Sequence, residues 1–332
     1  MNFYKRIKVK IAVLIFLCFS LYLSGCNGVT LNNQRFYICD GFSVNFIDVG
    51  EGDATLIRFP DGKTMLIDCG ERSTENLYSV EKYLNEYCDS GLDYLMLTHP
   101  DSDHVGNAAS ILEDFRVKTA FVPYIRNPEL FADYYRAYLK LNEKSVETEI
   151  SAVYKFVAGE NYFLVELSPN GLGTGGSSYT LFNDSAEPTA KERNNLSPIV
   201  YLEYNGVKFL FTGDADFSQE KVALNNVKLG LIDAYFGKKD AVVLENLDFL
   251  KVGHHGSADS AGEDLLRATT PKNAVISVGG DNVYGHPTSE TLERILEFSP
   301  NCNILRTSIL GNITVTVSER GEVSVHTSSG KI

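Results

Sequence analysis

The chain has 332 residues, of which 44% are apolar, 11% aromatic and 22% charged, enough for one large globular domain or two small ones. That balance excludes intrinsic disorder, collagen-like structure and a polytopic membrane protein. A formal net charge of −13 argues against a broad basic footprint for nucleic acid.

Residues 1–25 read as an export signal. Lys5, Arg6, Lys8 and Lys10 precede an apolar run from Ile11 to Leu23, too short to cross a hydrocarbon core of about 30 Å as a helix. The run ends in Leu23-Ser24-Gly25-Cys26, which resembles a bacterial lipoprotein lipobox. That resemblance implies cleavage before Cys26, a lipid on its thiol, and a place on the bacterial cell membrane facing outside the cytoplasm. Taking four positive charges off −13 would leave a mature chain at −17. Residues 26–40 are short and polar and are expected to be a tether. Cys39, Cys69, Cys88 and Cys302 show no metal-binding spacing, and the three pairings open to them in an exported chain are equivalent from sequence.

From Gly41 onward strand and helix patterns alternate. Phe42–Asp48, Ala54–Phe59 and Thr64–Asp68 read as strands, the last two joined by the turn Pro60-Asp61-Gly62-Lys63. A helix is expected over Thr74–Tyr87, a buried strand over Asp93–Thr98, and helices over Val105–Phe115 and Pro128–Lys144. Strand-like pieces follow, then a glycine-rich loop at Gly171–Gly176 without the lysine of a phosphate-binding loop. Asn205-Gly206 marks a hairpin between Pro198–Tyr204 and Val207–Thr212. Strands over Leu247–Val252 and Ala274–Val278 alternate with helices over Ala261–Thr269 and Ser289–Phe298, and a hairpin closes the chain around Gly321. No repeat or proline-rich linker divides residues 41–332, so they read as one α/β domain of two sheets sandwiched by helices.

Histidine placement points to chemistry. Five of the six histidines (His99, His104, His254, His255 and His286) fall in three short Gly/Asp-rich stretches. In Thr98-His99-Pro100-Asp101-Ser102-Asp103-His104-Val105-Gly106 an apolar strand runs straight into four metal-ligand side chains, then into a helix. Imidazole nitrogen and carboxylate oxygen on a strand-to-helix loop suit zinc, iron or manganese.

This His-x-Asp-x-Asp-His-x-Gly resembles the signature of the metallo-β-lactamase superfamily, with Asp in place of the second His. Further stretches resemble the soluble domain of ComEC-like competence proteins. These are Asp48-Val49-Gly50-Glu51-Gly52-Asp53-Ala54, Leu66-Ile67-Asp68-Cys69-Gly70, Asn194-Asn195-Leu196-Ser197, Phe211-Thr212-Gly213-Asp214-Ala215, Leu250–Ser257 and Tyr284-Gly285-His286-Pro287. The resemblance implies a four-layer αββα sandwich holding one or two divalent ions, zinc or manganese. His99 and Asp101 would bind one ion, Asp103 and His104 the other, and Asp214 would bridge them. His254 or His255 is the first choice for the last ligand, with His286 as a further ligand or a substrate contact. Asp103 and His286 are the candidate catalytic residues. Asp68 is expected to support the ligands, and Asp48 and Asp53 to be more structural than catalytic. Residues 105–253 contain no histidine where the superfamily often has one, and Asn194, Asn195 or Ser197 stands there instead. Lys251 and Ser257 are candidates to contact an anionic substrate.

The resulting expectation is an exported, membrane-anchored metal-dependent hydrolase that acts through a water activated by the ions. Its substrate would be a phosphodiester, DNA among the candidates. An envelope phosphoesterase of teichoic-acid or phosphocholine type, a lactam or lactone hydrolase, and a non-catalytic surface binding module are the alternatives. No protein partner is inferable.

Overall fold

In a computed structural model, residues 26–31, 34–88, 91–151, 155–168, 188–237 and 239–330 are described. The signal segment 1–25 and the glycine-rich loop Gly171–Gly176 lie outside these residues.

Two strands open the described residues where a tether was expected. β1 (Asn27–Leu31) and β2 (Gln34–Ile38) pair antiparallel, with Asn27 opposite Ile38. That register sets Cys26 across from Cys39, and the two form a disulfide. The Tyr87 hydroxyl accepts from the Cys39 N–H, and the Tyr37 ring stacks on His326, so the hairpin is docked on the domain. The Cys26 sulfur thus has a fate besides the expected lipid. A sulfur in a disulfide has no thiol to carry a lipid, so the two fates exclude one another. Cys69 and Cys302 are buried thiols, and Cys88 Sγ lies 3.5 Å from Thr64 Oγ1.

The first large sheet comprises β3 (Phe42–Phe46), β4 (Thr55–Arg58), β5 (Thr64–Ile67), β6 (Leu92–Met96), β7 (Val117–Val122), β8 (Glu147–Ile150), β16 (Ile313–Val317) and β17 (Val323–Thr327). Their order is β17-β16-β3-β4-β5-β6-β7-β8, antiparallel as far as β5 and parallel beyond it. The second sheet comprises β9 (Phe156–Gly159), β10 (Tyr162–Ser168), β11 (Ile199–Tyr204), β12 (Val207–Phe211), β13 (Phe249–Lys251), β14 (Asn273–Ile276) and β15 (Asn303–Arg306). Its order, β15-β14-β13-β12-β11-β10-β9, has the same plan: antiparallel through β12, then parallel.

Strand alternation builds the layers. Met65 and Ile67 face the inter-sheet core while Leu66 between them faces outward. Phe209 and Phe211 likewise face inward and Leu210 outward. On the outer face of the first sheet pack α1 (Thr74–Tyr87), α3 (Ala108–Asp114) and α4 (Ala132–Glu143). Outside the second lie α6 (Phe217–Lys228), α8 (Glu263–Thr269) and α9 (Ser289–Phe298). The four-layer αββα sandwich is therefore present, as a single domain.

The helix expected over Val105–Phe115 is broken. A short α2 (Ser102–Val105) stops before α3, and between them the Gly106 backbone presses against residues 71–72, where a Cβ would meet the Arg72 nitrogen at 2.2 Å. The expected Pro128–Lys144 helix is likewise split, into a 3-10 turn at Pro128–Leu130 and α4. Six further elements had no expectation: β7, α5 (Ala190–Asn194), α6, α7 (Leu231–Phe236), β15 and α10 (Thr307–Leu310). Among the described residues no helix is long and apolar enough to cross a membrane.

Phe209 is fully buried, with its ring 5.0 Å from Phe249 and 5.8 Å from Phe42 of the opposite sheet. Phe209→Ala should cost about 3–5 kcal/mol of stability through the cavity it leaves between the sheets, read from the urea midpoint at unchanged slope.

Candidate metal centre

The nominated residues gather where the parallel strands of both sheets end. Asp68 follows β5, His99 to His104 follow β6, Asp214 follows β12, and His254 and His255 follow β13. Loops at one end of two facing sheets meet across the gap between them. The loop Asp48–Ala54 closes the floor: Asp53 N–H donates to the Asp103 carbonyl at 3.2 Å. A Cβ at Gly52, where φ is +133°, would sit 2.3 Å from that same oxygen, so the approach requires glycine.

Asp103, His104, Asp214 and His255 each offer a ligand atom, all within 4.8 Å of one another. His104 Nε2 is 3.1 Å from Asp214 Oδ1 and 3.6 Å from Asp103 Oδ2, and His255 Nε2 is 3.1 Å from Asp103 Oδ2. Each imidazole is aimed by its other nitrogen. His104 Nδ1 donates to Asp68 Oδ2 at 2.7 Å, and His255 Nδ1 donates to the Ser277 carbonyl at 2.9 Å. This is how ligating histidines are oriented in metal sites.

His99 is aimed in the same way. The Thr98 hydroxyl spends its proton on Asp68 Oδ2 at 2.7 Å, so it accepts from His99 Nδ1, 3.1 Å away. Ser197 Oγ stands 3.3 Å from the same nitrogen and also accepts the Asp214 N–H. His99 Nε2 then points inward, 3.7 Å from Asp214 Oδ2. His99 Nε2 is buried without a hydrogen-bond partner, and His104 Nε2 and Asp214 Oδ1, 3.1 Å apart, have none besides each other. Buried polar atoms are rarely left so. A cation at the cluster would satisfy them, and the mixed nitrogen and oxygen donors suit a divalent transition metal.

The local charges fit that conclusion. Burial would raise the Asp103 and Asp214 carboxyls, but His104 and His255 hold both below the usual carboxylate range. Burial would lower His104, but Asp214, Asp103 and Asp68 outweigh it and hold it well above its ordinary value. His255 is pushed up to about 9, against burial, by Asp214 and Asp103. His99 is lowered by burial and by His104. The backbone is strained here as well: Asp68, His254 and His255 have φ of 57°, 47° and 53°, left-handed conformations that cost about 1 kcal/mol or more each.

Other nominated residues fall outside the cluster. The Asp101 carboxylate is gripped by Arg193, with Nε to Oδ1 at 2.5 Å and Nη2 to Oδ2 at 3.2 Å. His254 is 30% exposed at the mouth, with Nδ1 3.5 Å from Asp259 Oδ1 and Nε2 3.9 Å from Asp214 Oδ2. Asn194 Nδ2 lies 3.4 Å from His254 Nε2. His286 forms the rim, its ring 5.5 Å from that of His254 and its Nδ1 3.8 Å from Glu51 Oε1. His255, rather than His254 or His286, is thus the last imidazole of the cluster.

Lys251 is buried and donates to Asp53 Oδ2 at 2.8 Å, so it lies beneath the site and cannot reach a substrate. Ser257 is also buried, its hydroxyl given to Asp259 Oδ1. Asp48 Oδ1 accepts the Gly50 N–H, and Asn195 Oδ1 accepts the Asp216 N–H, both structural roles. Sequence reasoning missed Arg193, Asp259, the Ser277 carbonyl and the role of Thr98. Thr98 alone carried a signal, since it opens the central motif. A separate cleft of 330 Å³ on the outer helical face, beside Phe217, Glu220 and Arg294, includes none of the nominated residues.

Residues 47–280 match the family described as the metallo-beta-lactamase superfamily. The chain belongs to that superfamily. ComE operon protein 3 of Bacillus subtilis is 28% identical over 85% of this chain and 34% of its own length. Recombination protein 2 of Haemophilus influenzae is 26% identical over 82% of this chain and 29% of its own. The chain thus spans about a third of these relatives. Among solved structures, CmlA, a diiron β-hydroxylase from Streptomyces venezuelae, superposes with a TM-score of 0.50 at 13% identity. It covers 84% of this chain and 55% of its own, a likeness of fold alone.

A metal ligand must be an unprotonated imidazole, so an ion entering the cluster displaces the protons on His104 and His255, about two per ion near neutral pH. Calorimetric titration in buffers of different ionisation enthalpy should show that release. For the metal-free chain, the raised His255 contributes stability below its ordinary value of 6.5 and loses it as pH rises through about 9. Melting temperature should fall across that window, and His255→Gln should flatten the fall.

Proposed function

We propose that the protein is a phosphodiester hydrolase, exported and held at the outer side of the cell membrane. The carrying observation is the cluster of Asp103, His104, Asp214 and His255, with buried, unsatisfied atoms turned toward one point. A divalent cation there supplies charge that lowers the pKa of a nearby water and offsets charge building on a phosphoryl group. The chain does the rest. Asp68, Thr98, Ser197 and the Ser277 carbonyl hold three imidazoles in one orientation. His254 is held toward its protonated form, against burial, by Asp259 and Asp214, and stands at the mouth where a leaving oxygen needs a proton. His286, on the rim beside it, is placed to contact the substrate.

Two features favour phosphodiesters over lactams. The cluster carries as many carboxylates as imidazoles, a harder site than an all-histidine one. Relatives are named Competence protein ComA and Recombination protein 2, which points to DNA as a substrate. The net charge of −13 works against long polyanions and favours short or single-stranded ones.

With manganese or zinc restored, the protein should hydrolyse bis-p-nitrophenyl phosphate and single-stranded DNA but leave nitrocefin intact. Asp214→Ala should reduce the first two by more than about 100-fold. Nitrocefin turnover alone would move the reading to lactams, and phosphocholine diesters cleaved in preference to DNA would move it to the envelope. A wild-type protein that takes up metal and hydrolyses nothing would leave a binding module.

Anchoring rests on the lipobox Leu23–Cys26. A lipidated chain must leave Cys39 as a thiol, since lipid and disulfide compete for the Cys26 sulfur. Mass spectrometry of membrane-fraction protein should find the lipid on Cys26 and an alkylatable Cys39. An intact Cys26–Cys39 bond throughout that fraction would end the anchoring proposal.

A further inference from the structure

Asp101 is the superfamily-type ligand that the structure withholds from the cluster. Both its oxygens are bound by one guanidinium, that of Arg193 on α5. The seat is built for it. Arg193 Nη1 donates to the Pro188 carbonyl at 3.1 Å, the guanidinium lies 6.0 Å from the centre of the Phe131 ring, and its side chain is 22% exposed. A two-pronged guanidinium–carboxylate pair is among the stronger ionic contacts, and arginine does not give up its charge near neutral pH.

The remaining donors on that side are also committed or few. His99 offers only Nε2, because Nδ1 is held by Thr98 and Ser197. His254 Nδ1 faces Asp259, which leaves only its Nε2, 3.9 Å from Asp214 Oδ2. Among the described residues, the groups able to surround an ion include neither His99 nor Asp101. The second such group, Asp53 with Asp68 and His104, already holds a cation, because the Lys251 ammonium lies 2.8 Å from Asp53.

We propose that the centre is mononuclear and that Arg193 keeps it so. One divalent ion is held by Asp103, His104, Asp214 and His255. The Arg193 guanidinium neutralises Asp101 and denies another ion its carboxylate. The inference rests on the metal reading of the cluster and is independent of which ester is cleaved.

The test is metal binding by the full chain without substrate. Elemental analysis after dialysis against manganese or zinc, with titration calorimetry, should give one equivalent for wild type. Arg193→Ala should give two, and its manganese spectrum should acquire the signature of an exchange-coupled pair in electron paramagnetic resonance. Arg193→Lys, which keeps the charge, should stay at one. Asp101→Asn should also stay at one, since Asp101 is not a ligand. Two tight equivalents in wild type, a single equivalent in Arg193→Ala, or metal lost in Asp101→Asn would each overturn the proposal. Zero equivalents in wild type would overturn it together with the metal reading itself. If Arg193→Ala fails to fold, the wild-type stoichiometry and Asp101→Asn still decide.

Discussion

The site depends on the buried carboxylate of Asp68. It accepts the Thr98 N–H at 2.9 Å, the Thr98 hydroxyl at 2.7 Å and His104 Nδ1 at 2.7 Å. Those bonds tie the end of β5 to the loop after β6. They also settle proton positions two steps away. Because the Thr98 proton goes to Asp68, His99 donates through Nδ1 and turns a bare Nε2 inward. One acidic residue thus aims two imidazoles, at the cost of a left-handed backbone at Asp68 itself.

Burying charges between two sheets is expensive unless each has a partner. The protein meets that cost by pairing at every level of the site. Lys251 answers Asp53 beneath the cluster, and Arg193 answers Asp101 at its edge. His104 and His255 face Asp103 and Asp214 in the centre. The inward His99 Nε2, buried without a hydrogen bond, is what distinguishes a site prepared for an ion from a set of internal salt bridges. The same pairing explains the misread cations and carboxylates. Lys251 and Asp101 look like substrate and metal contacts in one dimension, yet each is consumed by the other kind of charge.

The two sheets share one plan, antiparallel on one side and parallel on the other. Parallel strands send their connecting loops to the same edge, so the facing sheets deliver five loops to one mouth. The Gly-rich stretches are where those loops must touch. Gly52 lets the loop Asp48–Ala54 lie against Asp103, and Gly106 lets the chain after α2 lie against residues 71–72.

The amino-acid sequence by itself determined the layered fold and the loops that meet at the cluster. Alternating strands, the Asn205-Gly206 hairpin and the His99–His104 motif depend on local periodicity and spacing, which survive without knowledge of neighbours. Asp68 as the support of the ligands and Asp214 as a member of the cluster followed from the resemblance to the metallo-β-lactamase superfamily. Tertiary structure alone decided what depends on pairing across the gap. It chose His255 over His254 and His286, because only His255 has its Nδ1 claimed by the Ser277 carbonyl and its Nε2 turned to Asp103. It assigned Asp101 to Arg193, 92 residues away, and Cys26 to Cys39 through the register of a hairpin that reads as a polar tether. Charge partners distant in sequence leave no local pattern, so only the folded chain could name them.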